Sequence, residues 1–423
     1  MKDILLEKLF ELSRWTYAIG KGIDKDIRRD QLYQLAKPEV RMAMYQAIKD
    51  GKYQISPPHA ALIAKDTPGE FRTVYANEPV DRVLLGIIND LLFELCPEMV
   101  HERCKSYQKG MGCGKIVQEV SMKVCQAKQR GSIGIKADLS KYFDSVPIRY
   151  IDAVFDAVEK KLGKSAVIDV IRNYYHSDLY FDENGVITES FKSLKQGCAV
   201  AAFLADAILY HIDEQMSSLG GFYIRYSDDI LYIGDNYIDA YNCLASELER
   251  MEMKLNPKKV ETLSKDRYFK FLGYSIRGAN ITLSSTRIKT FQREIEKRTF
   301  KRKDNTFTKA VNSVNNYLYK GNGEFSWATQ ILPICNVKED IDTLNAFVMD
   351  CLRAVQTGKH RLGGLGYVPN SKKNGCISRG TGRNVKANRD KTEKEIPGYY
   401  TIGCMQKAIL TRKSVYCTLV ATL

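Results

Sequence analysis

The sequence predicts a mixed α/β (α+β) fold, a small antiparallel sheet flanked by helices, and three observations carry that prediction. Residues 221–235, GFYIRYSDDILYIGD, place Phe222, Ile224 and Tyr226 at every second position and follow them with the apolar run Ile230, Leu231, Tyr232 and Ile233. Period-two patterning with β-branched and aromatic residues around a short polar gap reads as a β-hairpin. Residues 132–138, SIGIKAD, alternate Ile133, Ile135 and Ala137 with Gly134, Lys136 and Asp138, which reads as a second strand. Elsewhere apolar residues recur at helical spacing, as in Val83, Leu84, Ile87, Ile88 and Leu91.

The strands carry acids where acids are costly. Asp228 and Asp229 sit at the hairpin tip, and Asp138 ends its strand on the face opposite the isoleucines. Like charges beside packed apolar strands repel one another, and burial disfavours each. A divalent cation resolves the conflict, because hard oxygen ligands suit magnesium. For the hairpin alone, an exposed Asp-rich turn is the competing reading. Asp138 breaks the tie, since a strand end and a hairpin tip can be sheet neighbours while far apart in sequence. Three converging carboxylates make a two-metal site, one ion activating an attacking hydroxyl and the other holding a triphosphate and its leaving group. Two Mg2+ ions are expected, with Mn2+ as a substitute.

Size and composition bound the rest. The 423 residues allow two or three domains, and an apolar fraction of 44% supports a real core. The 64 basic against 50 acidic residues give a net charge of +14, which suggests a polyanion partner, nucleic acid before membrane. The eleven cysteines form no C-x-x-C pair and the five histidines are scattered, which argues against a zinc module and for reduced thiols in the cytoplasm. The first residues, MKDILLEKLFEL, read as a charged amphipathic helix, not a signal core. No apolar run approaches the roughly 20 residues of a membrane span.

In chain order, residues 1–60 read as helical, with Val40, Met44 and Ile48 on one face closed by Gly51 and a break at Ser56-Pro57-Pro58. A strand ending in Lys65, a Thr-Pro-Gly turn and a strand holding Arg72 follow, and Arg82 is expected to pair with Asp81 or Glu78. Gly110, Gly112 and Gly114 with Lys109 and Lys115 make a basic Gly-rich turn, but no Gly-Lys-Ser/Thr follows, so it is not a Walker loop. Asn184-Gly185 marks a hairpin turn. Residues 194–216 read as a turn and one long helix, with His211 and Asp213 as surface groups. Residues 284–357 read as helical and basic. In residues 358–423, 13 Lys and Arg stand against 3 Asp and Glu, with Tyr367, Tyr399, Tyr400 and Tyr416 interleaved, a composition suited to structured single-stranded RNA.

The ordered motifs between about residues 60 and 280 resemble those of reverse transcriptases, in particular prokaryotic enzymes of group II introns, retrons and defence systems. Tyr226-Ser227-Asp228-Asp229 resembles their Y-x-D-D box, and the stretch from Asp138 to Asp144 resembles their first catalytic aspartate box. The resemblance implies a right-hand polymerase: an N-terminal helical extension at 1–60, fingers at 61–130, a palm at 131–283 with a fingers insertion at about 147–190, a helical thumb at 284–357 and a basic RNA-binding extension at 358–423. It implies that Asp138 and Asp228 bridge both ions, that Asp229 supports them and that the Leu139 carbonyl completes one metal shell. Lys259 would protonate departing pyrophosphate, with Lys258 as the adjacent alternative. Lys65 and Arg72 would face the triphosphate, Phe143 would exclude a 2′-hydroxyl, and Gln196 and Gly197 would hold the nucleotide. Ser106 and Tyr107 would touch the template, and Phe271, Leu272, Gly273 and Tyr274 would grip the primer. Ala201 and Ala202 stand where many relatives have Ser and Pro, which bears on the subfamily. The activity implied is RNA-templated DNA synthesis from dNTPs on a primer strand, copying a cognate non-coding RNA in anti-phage defence. An RNA-synthesising or template-free nucleotidyltransferase and an inactive RNA-binding scaffold are the rival classes.

Overall fold

The computed structural model describes residues 2–20, 33–64, 71–108, 110, 112–128, 131–189, 193–320 and 327–358. Two compact units divide the chain: Met1–Met111 with Ser132–Leu263, and Gly112–Gly131 with Ser264–Leu423. This grouping differs from the contiguous boundaries drawn on the sequence at 130 and 283. Lys65 and residues 359–423, the proposed basic extension, lie outside the described residues.

The first unit is built around the helix Pro79–Leu95, which starts on a proline at its first turn and buries Val83, Leu84, Ile87, Ile88, Leu91 and Leu92. The helices Ile4–Leu9, Leu12–Gly20 and Ala201–Ala207 pack on it. Each fully buried Leu or Ile contributes about 2 kcal/mol. The unit's strands are β1 (His59–Ala64), β2 (Phe71–Ala76), β3 (Ser132–Asp138), β4 (Leu179–Phe181), β5 (Ile187–Glu189), β6 (Phe222–Tyr226), β7 (Asp229–Ile233) and β8 (Glu261–Ser264). They form two four-stranded sheets, ordered β2-β1-β4-β5 and β6-β7-β3-β8. The β4–β5 turn is closed by the Asp182 side chain, whose Oδ1 accepts from the amides of Asn184 and Val186 at 2.8 and 2.9 Å.

The second of these sheets organises the site. β6 and β7 form the expected hairpin, with Tyr226 opposite Asp229 and the two-residue turn Ser227-Asp228 between them. β3 runs antiparallel to β7, from Gly134 opposite Ile233 to Asp138 opposite Asp229. The close approach demands glycine at 134, where an added Cβ would lie 2.1 Å from the Tyr232 carbonyl oxygen.

One expectation is corrected. The single helix expected over 194–216 is two helices, Ala201–Ala207 and Tyr210–Ser218. The carbonyls of Ala205 and Asp206, which would continue the ladder, accept instead from the Tyr142 hydroxyl at 2.7 Å and the Arg225 guanidinium at 2.9 Å. Asp81 takes the Tyr53 hydroxyl and the Ser56 amide, Glu78 meets His59 at 2.8 Å, and Arg82 donates to the Asn77 carbonyl.

The second unit holds the three-stranded antiparallel sheet β9 (Phe269–Phe271), β10 (Tyr274–Arg277) and β11 (Asn280–Leu283), ordered β11-β10-β9. The helix Cys113–Gln126 packs on β10 and β11, and the Ser121 hydroxyl donates to the Gly278 carbonyl at 2.8 Å. That packing groups residues 112–131 with the later chain. Helices Ser285–Arg298, Phe307–Asn315 and Lys338–Thr357 follow among the described residues of this unit. Among the described residues, the cysteines are free thiols and no helix is long and apolar enough to cross a membrane.

Replacing Gly134 by alanine forces β3 and β7 apart, and we expect a loss of about 3 kcal/mol of stability. Urea unfolding of the two proteins checks this; an unchanged midpoint refutes the close-approach argument.

Candidate active site

Three carboxylates gather at one end of the sheet. The register sets Asp229 directly across from Asp138. The Leu139 amide, one residue past β3, donates to the Asp228 carbonyl at 3.2 Å and ties the turn to the strand end. Ser227 carries a positive φ of 57°, so the tip is a tight turn held in a sparsely populated conformation. The Lys259 ammonium, at the end of the short turn Pro257–Lys259, meets Asp138 Oδ2 at 2.7 Å. Of the two adjacent lysines, Lys259 is the one whose contact with Asp138 is seen.

The electrostatics show the strain of this gathering. Asp138 is buried, and Asp228 and Asp229 are partly so. Burial, then the charge of Asp138, pushes the Asp228 carboxyl above its ordinary value. Burial, then the charge of Asp228, pushes Asp229 up to about 6. Burial works against the charge of Lys259, but the hydrogen bond to Asp138 and the charges of Asp138, Asp228 and Asp229 together outweigh it and raise the ammonium above its ordinary value. Among the described residues, no three acids or other ligating side chains already stand in metal-holding geometry. The backbone register brings the three acids to one end of the sheet, and the Lys259 ammonium pairs with Asp138. A donor set of hard, electrically stressed oxygens fits a hard divalent cation, and Asp138, Asp228 and Asp229 are the residues that could hold it.

Beneath the tip lies a polar network that sequence reasoning missed. Arg225 is fully buried, and its guanidinium binds Asp213 at 2.7 and 2.6 Å and donates to the Ser227 carbonyl at 3.2 Å. The Ser106 hydroxyl donates to Asp206 at 2.5 Å and accepts from the Ser227 amide at 2.9 Å. Both backbone groups of Ser227 are therefore held from below. The sequence signal was a lone arginine inside the apolar strand FYIRY. Asp213 is accordingly no surface group: it is buried, while His211 is exposed.

A second cluster borders the strand end. Phe143 is half-buried and lines a small cleft with Tyr75, Tyr180, Ser193 and Lys195. The Ser193 hydroxyl and Leu194 amide both donate to the Phe143 carbonyl, at 2.9 and 3.2 Å. The Gln196 carbonyl accepts from the Tyr75 amide of β2 at 2.7 Å. Gly197 has φ +109°, and an added Cβ would lie 2.8 Å from the Tyr75 oxygen, so this loop can lie against β2 only with glycine there. Arg72, on β2, is exposed.

Several expected nucleic-acid contacts are corrected. Ser106 is fully buried and its hydroxyl is spent inside the protein, so it does not offer itself to a template. Tyr107 is 45% exposed while its hydroxyl donates to Ser227 Oγ at 3.2 Å. In the second unit, Phe271 and Tyr274 are core residues, and only Leu272 and Gly273 of that turn reach the surface. Arg287 is committed there too: it lies 4.6 Å from the Tyr274 ring centre and donates to the Leu272 carbonyl.

Comparison with known proteins matches residues 63–276 to the family described as reverse transcriptase (RNA-dependent DNA polymerase). No curated protein matches in sequence. Solved structures that match include apo telomerase from Candida tropicalis, with 12% identity and a TM-score of 0.42, covering 72% of this chain and 58% of that one. Its form truncated from the C-terminal domain matches with 13% identity and a TM-score of 0.37, covering 56% and 58%. The chain therefore spans 58% of the length of these structures.

Because Asp229 holds its proton up to about pH 6 when folded and only to its ordinary 3.8 when unfolded, folding loses stability as pH rises between those values and bears the full loss above them. Asp229→Asn should therefore stabilise the protein in EDTA by about 1–2 kcal/mol at pH 7.5, with the gain vanishing near pH 4. Thermal unfolding across that range measures it; equal gains at both ends contradict the assignment.

Proposed function

The chain belongs to the reverse transcriptase family, and from that premise we propose that it is an RNA-directed DNA polymerase that extends a primer strand with dNTPs on an RNA template. The observation that carries the reading is the tie between β3 and the hairpin tip: Asp138 across from Asp229, Leu139 bonded to Asp228, and Lys259 on Asp138. This chain's residues prepare the transfer of a nucleotide to a primer 3′-hydroxyl. Asp138 and Asp228 place negative charge at the sheet end, and Lys259 stays protonated beside them, able to give a proton to departing pyrophosphate. Two Mg2+ ions, held by Asp138 and Asp228 with support from Asp229 and the Leu139 carbonyl, would lower the pKa of the primer hydroxyl and neutralise the triphosphate. Phe143 is proposed to exclude a 2′-hydroxyl, and Gln196 and Gly197 to hold the nucleotide. Lys65 and Arg72 are proposed to meet the triphosphate, Tyr107 the template, and the turn Leu272-Gly273 the primer.

The finer reading is that the template is a dedicated structured non-coding RNA, copied in the cytoplasm as part of anti-phage defence. Its support is the basic, tyrosine-bearing composition of residues 358–423 and the motif resemblance.

Primer extension by the full chain on a primed RNA, with Mg2+ and dNTPs, tests the central claim. Template-directed product should appear, EDTA should abolish it, and Asp138→Asn or Asp228→Asn should each lower the rate at least about 1,000-fold. A folded wild-type protein that adds no templated deoxynucleotide, or a variant that keeps its activity, overturns the reading. Phe143→Ala should raise ribonucleotide incorporation by about tenfold or more while deoxynucleotide use persists; unchanged sugar choice removes Phe143 from that role.

A further inference from the structure

The loop between Ser193 and Gly197 is stitched to three neighbours, and one stitch is a buried cation. Lys195 takes a positive φ of 53° and is only 7% exposed. Its ammonium donates to the Tyr174 carbonyl at 2.6 Å and the Ser177 carbonyl at 2.7 Å, and lies 4.1 Å from the Tyr174 ring centre. These carbonyls end the helix Ala166–His176, whose last turn lacks intrahelical donors and carries partial negative charge. A lysine answers both needs. The second stitch is the pair of hydrogen bonds from Ser193 and Leu194 to the Phe143 carbonyl, and the third is Tyr75 to Gln196.

Lys195 thus stands between the two groups assigned to the nucleotide. Through Leu194 and Ser193 it bears on the backbone of Phe143, and it directly precedes Gln196 and Gly197. It also shares the cleft wall with Phe143. We propose that Lys195 is a positioning residue for the incoming nucleotide: by anchoring this loop to a helix end, it fixes the depth of the Phe143 ring and the place of Gln196, and so sets dNTP affinity and sugar discrimination. Burial lowers the Lys195 pKa to about 8, so the cation persists at neutral pH at the expense of desolvation, as a site built around that charge requires. The expected substrate class is the deoxynucleoside triphosphate, and this inference rests on the polymerase reading above.

Lys195→Met keeps the length of the side chain and removes its donors. On a primed RNA template, the variant should show a KM for dNTP raised about tenfold with kcat within about threefold of wild type. Its preference for dNTP over rNTP should fall in step. Ser193→Ala, which cuts a different stitch, should move KM and sugar choice in the same direction by less. Hydrogen exchange of the amides at 193–197, read on the same proteins without substrate, should speed up in Lys195→Met while exchange in β3 and β7 stays unchanged. Unchanged KM, sugar choice and loop exchange in a folded Lys195→Met protein overturn the proposal. So does a loss confined to kcat. If wild type adds no nucleotide, the polymerase reading fails by itself, and the exchange experiment still decides whether Lys195 anchors the loop: unaltered exchange rejects it.

Discussion

The site depends on a charge buried beneath it. Arg225 is wholly removed from solvent, and so are Asp213 and Asp206. Taking such ions out of water costs several kcal/mol each, and only close, well-satisfied partners offset it. Asp213 supplies a two-pronged partner, and the carbonyls of Asp206 and Ser227 take further donors. Burial raises Asp206 to about 6 even beside Arg225, and the Ser106 hydroxyl donates to it. The network therefore has one obvious geometry, and that geometry holds Ser227 by both its amide and its carbonyl. A strained turn bearing two repelling acids would otherwise relax. The same arginine, with the Tyr142 hydroxyl, draws off carbonyls that would have continued the helix Ala201–Ala207, so one buried group shapes both the hairpin tip and the helix beneath it.

The features legible in the sequence are those whose signal is local. Alternation in 221–235 and 132–138 specifies strands, and a slip of one residue would turn every apolar side chain to the wrong face. Asp228 and Asp229 interrupt that alternation, and Asp138 ends its own strand, so their place at the sheet end follows from pattern alone. What was hidden depends on partners distant in sequence. Ser106 meets a residue 100 positions away, and Lys259 meets Asp138 across 121. A serine in a polar stretch resembles a surface contact until Asp206 is seen against it. Tyr274 follows a turn with two positive φ angles and reads as an exposed aromatic, yet the chain folds it inward under Arg287. The helix break at Ile208 and Leu209 carries neither glycine nor proline and has no local mark.

The grouping of residues 112–131 with the later chain left no local mark for a related reason. A contiguous cut assumes that neighbours in sequence share a core. The helix Cys113–Gln126 buries Ile116, Val117, Val120 and Val124, and within its unit that face is answered by strands more than 140 residues later. An amphipathic stripe states that a helix must be covered but not by what.

Among the described residues, some of the places where consistency across levels fails lie at the site and at the 193–197 loop. Ser227 and Lys195 both adopt left-handed backbone without being glycine, and both are over-determined by hydrogen bonds from other elements. Asp228 and Asp229 are held above their ordinary pKa, and Lys195 below its own, each with burial as the leading cause. A fold selected only for stability would relieve these positions, since uncharged side chains of similar volume would remove the repulsion and the desolvation together. On the proposed polymerase reading, these positions supply what phosphoryl transfer would require: charge kept where water is scarce, on backbone that does not yield. The buried arginine and the buried lysine are then two solutions to one demand, each fixing a short, strained loop by filling the carbonyls around it.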